Sequence, residues 1–437
     1  MSWDFETDQD FQAQLDWMDE FVTREVEPLD AVFRGPADPF DPSLRGPAAA
    51  MAPLKRAVQA RGLWACHLGP ELGGPGYGQV KLGLMNEILG RSRFAPTVFG
   101  TQAPDTGNAE ILARFGTDEQ KRRYLEPLLA GEIASCYSMT EPQAGADPAQ
   151  FTCRARLEGD HWVIDGEKWF ASHADFARFL LVVVITDPSV PVHQGASILI
   201  VDRDTPGLEI IRNVAVGMRE EIGTGVHGYL RFRNCRVPRD HLLGRAGQGF
   251  EVAQSRLGGG RIHHAMRTVG VLKRALDMMC ERALSRTTKG ELLAEKQLTQ
   301  EKIADSYIQI TQFRLHVLYA AWLIDKHRAY NREVRREIAA VKAAMPGVLR
   351  DVVYRALHLH GSLGMSNELP LMQMWATVPE MGIVDGPTEV HKVAVAKAVL
   401  RDRKPSPGLW PSYFLPDAIE RARARFGDAI EREVGNT

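Results

Sequence analysis

Residues 179–185 read Phe-Leu-Leu-Val-Val-Val-Ile, the longest strongly apolar run in a chain of 437 residues. It is far shorter than the roughly 20 residues that cross a bilayer as a helix, so it predicts a buried strand. Short β-rich runs surround it: His161–Ile164, the continuation of the apolar run to Thr186, Ala196–Asp202 and Gly228–Val237. The stretch from Ser135 to about Arg245 is therefore expected to be a β domain. Within it Asp165-Gly166 stands between Trp162-Val163-Ile164 and Lys168-Trp169-Phe170. Asp-Gly suits a tight turn with positive φ, and a hairpin is expected there.

Both flanks of this block have helical spacing. Up to about Gly131, Lys55–Trp64 and Ala109–Ala130 place apolar residues three and four apart. Beyond Gly249, Ile303, Tyr307, Ile310, Phe313, Val317, Ala320 and Ile324 form one apolar stripe. A stripe of about six turns serves a bundle interior or a subunit interface, and the bundle is the plainer use. Pro346 is expected to kink or divide the helix over residues 338–360. After the Pro-rich Lys404-Pro405-Ser406-Pro407-Gly408, a charged helical pattern between Asp417 and Val434 predicts an appended surface helix. The order is α, then β, then α.

Composition narrows the function classes. With 44% hydrophobic and 25% charged residues the chain has a globular mixture, and its length suits two or three domains. Lys plus Arg number 53 against 55 Asp plus Glu, a net charge of -2 that offers no global attraction to nucleic acid or anionic lipid. No nucleic-acid partner and no membrane insertion are expected. The acidic start Met1-Ser2-Trp3-Asp4-Phe5-Glu6 lacks signal-peptide or transit-peptide layout, so a cytoplasmic protein is expected. The five cysteines lack C-x-x-C spacing and read as buried, reduced thiols. No phosphate-binding P-loop, zinc-protease or nucleophile-elbow motif occurs, and Gly69–Gly78 (GPELGGPGYG) reads as a loop. The adjacent His263 and His264 would point in different directions from a helix, a poor geometry for one metal, and no metal is predicted.

Three segments carry the chemistry: residues 136–147 (CYSMTEPQAGAD), 166–173 (GEKWFASH) and 383–392 (IVDGPTEVHK). The first resembles the T-E-P-x-A-G-[ST]-D signature of the acyl-CoA dehydrogenase family, and the second its flavin-stacking segment. Residues 286–297 (RTTKGELLAEKQ) resemble the family's R-x-x-F-G-x-x-L-x-x-x-Q segment, and His360-Gly361-Ser362-Leu363-Gly364 its G-G-x-G segment. The likeness extends from about residue 50 to 403. Through 256–264 (RLGGGRIHH), 279–283 (MCERA) and 385–391 (DGPTEVH) the chain is most similar to the branch typified by family members 10 and 11, with no kinase-like domain expected ahead of it.

The resemblance implies an α+β fold. It consists of an N-terminal α-helical domain (1–134), a middle β-barrel or sandwich domain (135–245), a C-terminal four-helix-bundle domain (246–403) and an extension (404–437). It further implies FAD as cofactor, an acyl-CoA substrate, electron-transferring flavoprotein as acceptor, and a homodimer or homotetramer. Desaturating an acyl thioester needs a base for the α-proton on one side and a hydride acceptor at the β-carbon on the other. Asp385 matches the base position, where a glutamate is usual. It is one methylene shorter, so its backbone is expected nearer the substrate, in an apolar, water-poor cleft that favours the protonated form. The rival base position is Gly260, which carries no carboxylate, and Arg261 beside it is expected in the substrate cleft with Ala146 and Gly386.

By the same resemblance Tyr137, Ser138, Met139, Thr140, Gly145 and Ala146 run along the flavin, with Thr140 at the pyrimidine end of the ring. Phe170 takes the place of the stacking Trp, Ala171 follows it, and Ser172 is the hydroxyl near the reactive flavin nitrogen. Arg286 and Gln297 are implied to reach a neighbouring subunit's FAD, which makes a dimer the minimum; His358, Gly361, Ser362, Pro387, Thr388 and Glu389 complete the cofactor set. Four positions depart from the family pattern: Ala146 for Ser or Thr, Lys289 for Phe, His358 for Gln and Ser362 for Gly. Two other classes stay open. One is a nitroalkane-oxidase-like flavoenzyme, whose base is also an aspartate, and the other is a non-catalytic, flavin-loaded DNA-binding relative.

Overall fold

The computed structural model describes residues 5–33, 45–217, 221–328 and 331–434. The chain divides into two compact units, Met1–Lys392 and Val393–Thr437. In the first unit the N-terminal part is helical: α1 (Gln9–Phe21), α2 (Arg45–Ala60), α3 (Gly78–Leu89) and α4 (Asp105–Phe115). Asp8 caps α1 by accepting a hydrogen bond from the Phe11 amide, satisfying one of the free N–H groups of the first turn. Phe11, Met18, Val58, Met85, Leu89, Phe94 and Phe99 share one buried cluster there.

Eight strands form the middle sheet: β1 (Ser135–Ser138), β2 (Arg154–Glu158), β3 (His161–Ser172), β4 (Phe179–Ile185), β5 (Ala196–Asp202), β6 (Leu208–Val214), β7 (His227–Pro238) and β8 (Leu242–Leu243). Their order is β6-β7-β3-β2-β4-β5-β8, and β1 pairs in parallel with β4. The apolar run 179–185 is β4, paired on both sides and buried from Phe179 through Val184. Burying each such side chain is worth about 1.5–3 kcal/mol, which is why this run sits inside.

The hairpin expected at Asp165-Gly166 is not there. The turn is Gly159-Asp160, with Glu158 opposite His161, and β3 runs on through Asp165 and Gly166. The Asp-Gly pair marks a bulge against β7 instead, between Ile164 and Gly166. Gly166 has φ 141°, and a Cβ on it would meet the Cys153 Cα at 2.6 Å, so glycine is needed for a close approach rather than for a chain reversal.

Four helices follow: α5 (Gly249–Ser285), α6 (Gln297–His327), α7 (Arg332–His360) and α8 (Leu371–Ile383), their core built from Met266, Val269, Phe313, Val317, Val341, Met345 and Met374 among others. In the predicted stripe Ile310, Phe313, Val317 and Ala320 are buried, whereas Tyr307 is exposed. Pro346 does not divide its helix: α7 is continuous from Arg332 to His360. Neighbouring helices pack against it and offset the missing N–H hydrogen bond. Helix α9 (Thr388–Arg401) begins just after the loop that carries Asp385. In the second unit α10 spans Leu415–Val434 as two helical segments kinked at Phe426 (φ -125°, ψ 19°), and the Trp410 and Phe414 rings stack at 4.7 Å. Among the described residues no helix is long and apolar enough to cross a membrane.

Candidate active site

Strand β1 is tied at its start and open at its end. Asp105, at the head of α4, accepts hydrogen bonds from the Ser135 amide and hydroxyl at 2.8 and 2.6 Å, and Asn108 donates to Ser135 Oγ at 2.8 Å. Asn108 in turn accepts from Arg256 of α5, whose guanidinium lies 4.1 Å from the Tyr137 ring centre. Burial pushes the Tyr137 hydroxyl up to about 12, so it stays protonated. Past the strand end, Glu141 and Lys168 form an ion pair at 2.9 Å with both side chains fully buried. Lys168 also donates to the Met139 carbonyl at 2.8 Å, and Glu141 accepts from the Thr152 and Cys153 amides. Burial alone would raise the Glu141 carboxyl, but the Lys168 ammonium and those amides outweigh it and hold it below its ordinary value. The Trp169 amide donates to the Thr140 carbonyl at 2.8 Å, which fastens the loop after β1 to the end of β3.

The resulting cradle suits a flat, hydrogen-bonding aromatic group. Phe170 sits at φ 51° and is 40% exposed. Ser138 Oγ and Trp169 Nε1 are buried without a partner in the protein, two polar groups that a ligand can satisfy. Ser172 Oγ and His227 Nδ1 share a hydrogen bond at 2.9 Å. Gly145 and Ala146 are exposed, and a Cβ on Gly145 would meet nothing.

Asp385 lies between α8 and α9 in a left-handed conformation, φ 56°, followed by Gly386 at φ 105°. Its backbone carbonyl accepts from Arg261 Nε and Nη2 at 3.2 and 3.0 Å and from His391 Nε2 at 3.2 Å. The carboxylate, 19% exposed, has His264 Nε2 at 3.9 Å. Lys342 of α7 is buried and donates to the Met381 carbonyl at 2.5 Å; burial pushes its ammonium down to about 8, against the pull of Asp385. The surroundings expected to be apolar are therefore lined with cations and imidazoles. The physical reason is the loop: its left-handed turn leaves a carbonyl pointing inward, and Arg261 and His391 satisfy it.

The remaining sequence candidates occupy several places. Arg286 caps the C-terminal end of α5 and Gln297 opens α6; both are exposed on the connector that carries Lys289. His358 is exposed near the end of α7 with its ring 4.2 Å from Tyr354, and Gly361 and Ser362 follow it. Pro387 precedes α9, which Thr388 and Glu389 start, and Thr388 Oγ1 donates to the Gly382 carbonyl. Lys342 and His227 carry no sequence signal, whereas Arg256, His264 and His391 fall within the segments 256–264 and 383–392. A cavity of about 560 Å³, bordered by Lys55, Trp64, His67, Gln102, Asp105 and Arg203, does not include Asp385 or Phe170. Among the described residues no group of three or more His, Cys, Asp or Glu is arranged to hold a metal.

Comparison with known proteins decides the family. Residues 8–132, 136–235 and 247–400 match the N-terminal, middle and C-terminal domains described for acyl-CoA dehydrogenases. The chain belongs to the acyl-CoA dehydrogenase family. It is 41% identical over 358 residues to acyl-CoA dehydrogenase family member 10 of Mus musculus, which covers 80% of this chain and 33% of that protein. It thus spans about a third of the length of that curated relative. A mycobacterial protein named as an acyl-CoA dehydrogenase, FadE2 of Mycobacterium tuberculosis, is 40% identical over 356 residues, 80% of this chain and 86% of its own. Among solved structures, one from Mycobacterium abscessus described as an acyl-CoA dehydrogenase superposes with TM-score 0.82 at 36% identity, covering 91% of this chain and 99% of that one.

Proposed function

We propose that this protein is an FAD-dependent dehydrogenase that converts an acyl-CoA thioester to its trans-2-enoyl-CoA, with Asp385 as base and electron-transferring flavoprotein as acceptor. The observation that carries this reading is the pinned Asp385 loop: two cationic or imidazole side chains hold its backbone carbonyl, so the carboxylate is presented from a fixed main chain. When bound, FAD would supply the hydride acceptor. The cradle of Tyr137, Ser138, Met139, Thr140, Phe170, Ala171 and Ser172 would hold it, and the orphaned Ser138 and Trp169 groups fit such a ligand. Asp385 takes the α-proton, with the buried Lys342 ammonium and the His264 imidazole beside it. Arg261 orients the base through its carbonyl. Arg286 and Gln297, exposed on their connector, are available to the cofactor of a second copy in a homodimer or homotetramer.

The same proposal assigns a cytoplasmic location and a role in fatty acid β-oxidation, with residues 1–134, 135–245, 246–403 and 404–437 as the working units. Anaerobic titration of the flavin-loaded protein with acyl-CoA thioesters from short to long tests it, beside Asp385→Ala. Bleaching of the oxidised flavin by some chain length, lost in the variant while FAD stays bound, is the expected result. No bleaching by any thioester, or equal bleaching by the variant, refutes it.

A further inference from the structure

Around Asp385 the structure holds more titratable groups than one proton abstraction needs. The Asp385 main chain is held in place, because Arg261 and His391 bond its carbonyl and the turn is left-handed. The imidazole its carboxylate faces, His264 Nε2 at 3.9 Å from Oδ2, stands on the long helix α5. Contacts of this kind are often long before a site fills and tighten when it does. His264 is 24% exposed, so its ring has a route to water. The groups facing it are Arg256, Arg267 and the adjacent His263 on its own helix, Lys342 on α7 and Asp385 on the α8–α9 loop.

We propose that His264 is the proton acceptor for Asp385, taking the abstracted α-proton from the carboxyl group and passing it to solvent. The inference rests on Asp385 being the base. In the first step the α C–H bond breaks, its electron pair stays with the substrate, and an O–H bond forms on Asp385. In the second that O–H breaks as an N–H forms on His264 Nε2, and the imidazolium then gives its proton to water. The carboxylate is thereby restored before product leaves. Burial, together with Arg267, Lys342 and Arg256, lowers the imidazole's affinity for a proton, while the Asp385 carboxylate raises it. An ordinary imidazole lies about 2.6 units above an ordinary carboxylate, which sets the direction of the transfer. His264 acts through Asp385 and does not itself need to touch substrate.

The test uses an acyl-CoA in which sulfur replaces the β-carbon, so that no hydride can leave and the α-hydrogens can only exchange. Loss of α-deuterium to water is followed by mass spectrometry in the FAD-loaded wild type, His264→Gln and Asp385→Asn, beside single-turnover flavin reduction by an ordinary thioester. The expected result is that His264→Gln slows exchange at least about tenfold more than it slows flavin reduction, and that free imidazole restores part of it. Parallel losses, or unchanged exchange, overturn the relay. Asp385→Asn retaining both reactions overturns the base assignment itself, a distinguishable failure. Should His264→Gln not fold, ring-proton NMR of the His264 titration keeps the test open. Asp385→Asn is expected to move that titration to lower pH, and an unmoved titration refutes the coupling.

Discussion

Replacing Lys168 by Met removes the ammonium from the only position where it meets both Glu141 Oε1 at 2.9 Å and the Met139 carbonyl at 2.8 Å. Both side chains of the pair are fully buried, so no solvent screens what is left behind. Glu141 Oε2 keeps the Gln143, Thr152 amide and Thr152 hydroxyl donors, but Oε1 retains the Cys153 amide alone, at 3.1 Å. Breaking one side of a buried pair costs about 3–5 kcal/mol. The loop so loosened carries Thr140, and Trp169 hydrogen-bonds to it, so the cost falls on the cradle proposed for FAD. At about 1.4 kcal/mol per decade, FAD affinity should drop by about a hundredfold to a few thousandfold. Apoprotein titrated with FAD, followed by fluorescence, measures this in wild type, Lys168→Met, Glu141→Gln and the double variant. A coupling energy of at least about 2 kcal/mol is expected from the cycle. Coupling below about 0.5 kcal/mol would show that the pair does not hold the cradle, and the reasoning would fail.

Other outcomes follow from the same geometry. Arg261→Lys loses the two-point grip on the Asp385 carbonyl, and kcat should fall by about tenfold to a hundredfold with flavin content unchanged in the absorbance spectrum. Gly386→Ala places a Cβ 2.9 Å from His391 Nε2 at φ 105° and should cost about 1–3 kcal/mol, measured by urea unfolding. Burial and Arg267 push His67 down to about 4 and His263 down to about 3, below the ordinary 6.5. The unfolded chain therefore binds more protons in that window, and stability should fall as pH drops from 6.5, by up to about 3 kcal/mol for His67 by pH 4. Urea midpoints against pH check this, and His67→Phe should flatten the slope.

Much of the architecture is legible along the chain because it depends on local pattern. The 179–185 run announces a strand through apolarity alone, and the stripe from Ile310 to Ala320 announces a buried helix face through its spacing. The misplaced hairpin shows the limit of that logic. Asp165-Gly166 has the composition of a turn, but the close approach of Cys153, just ahead of β2, makes glycine necessary in mid-strand. Pro346 is a similar case: its local effect is outweighed by helices that meet α7 from far along the sequence.

The sequence by itself determined the α, β, α order and the T-E-P segment, through which the family was recognisable; it also singled out Asp385 as the carboxylate to consider. Tertiary structure alone decided what surrounds that carboxylate. Arg261 and His264 on α5, Lys342 on α7 and His391 on α9 lie as many as 130 positions apart in sequence by the separation of 261 and 391, yet they converge on one loop. A linear pattern records what each residue prefers next to its chain neighbours. The charge around Asp385 is instead set by helices packed across a common core, where distance in space no longer follows distance in sequence.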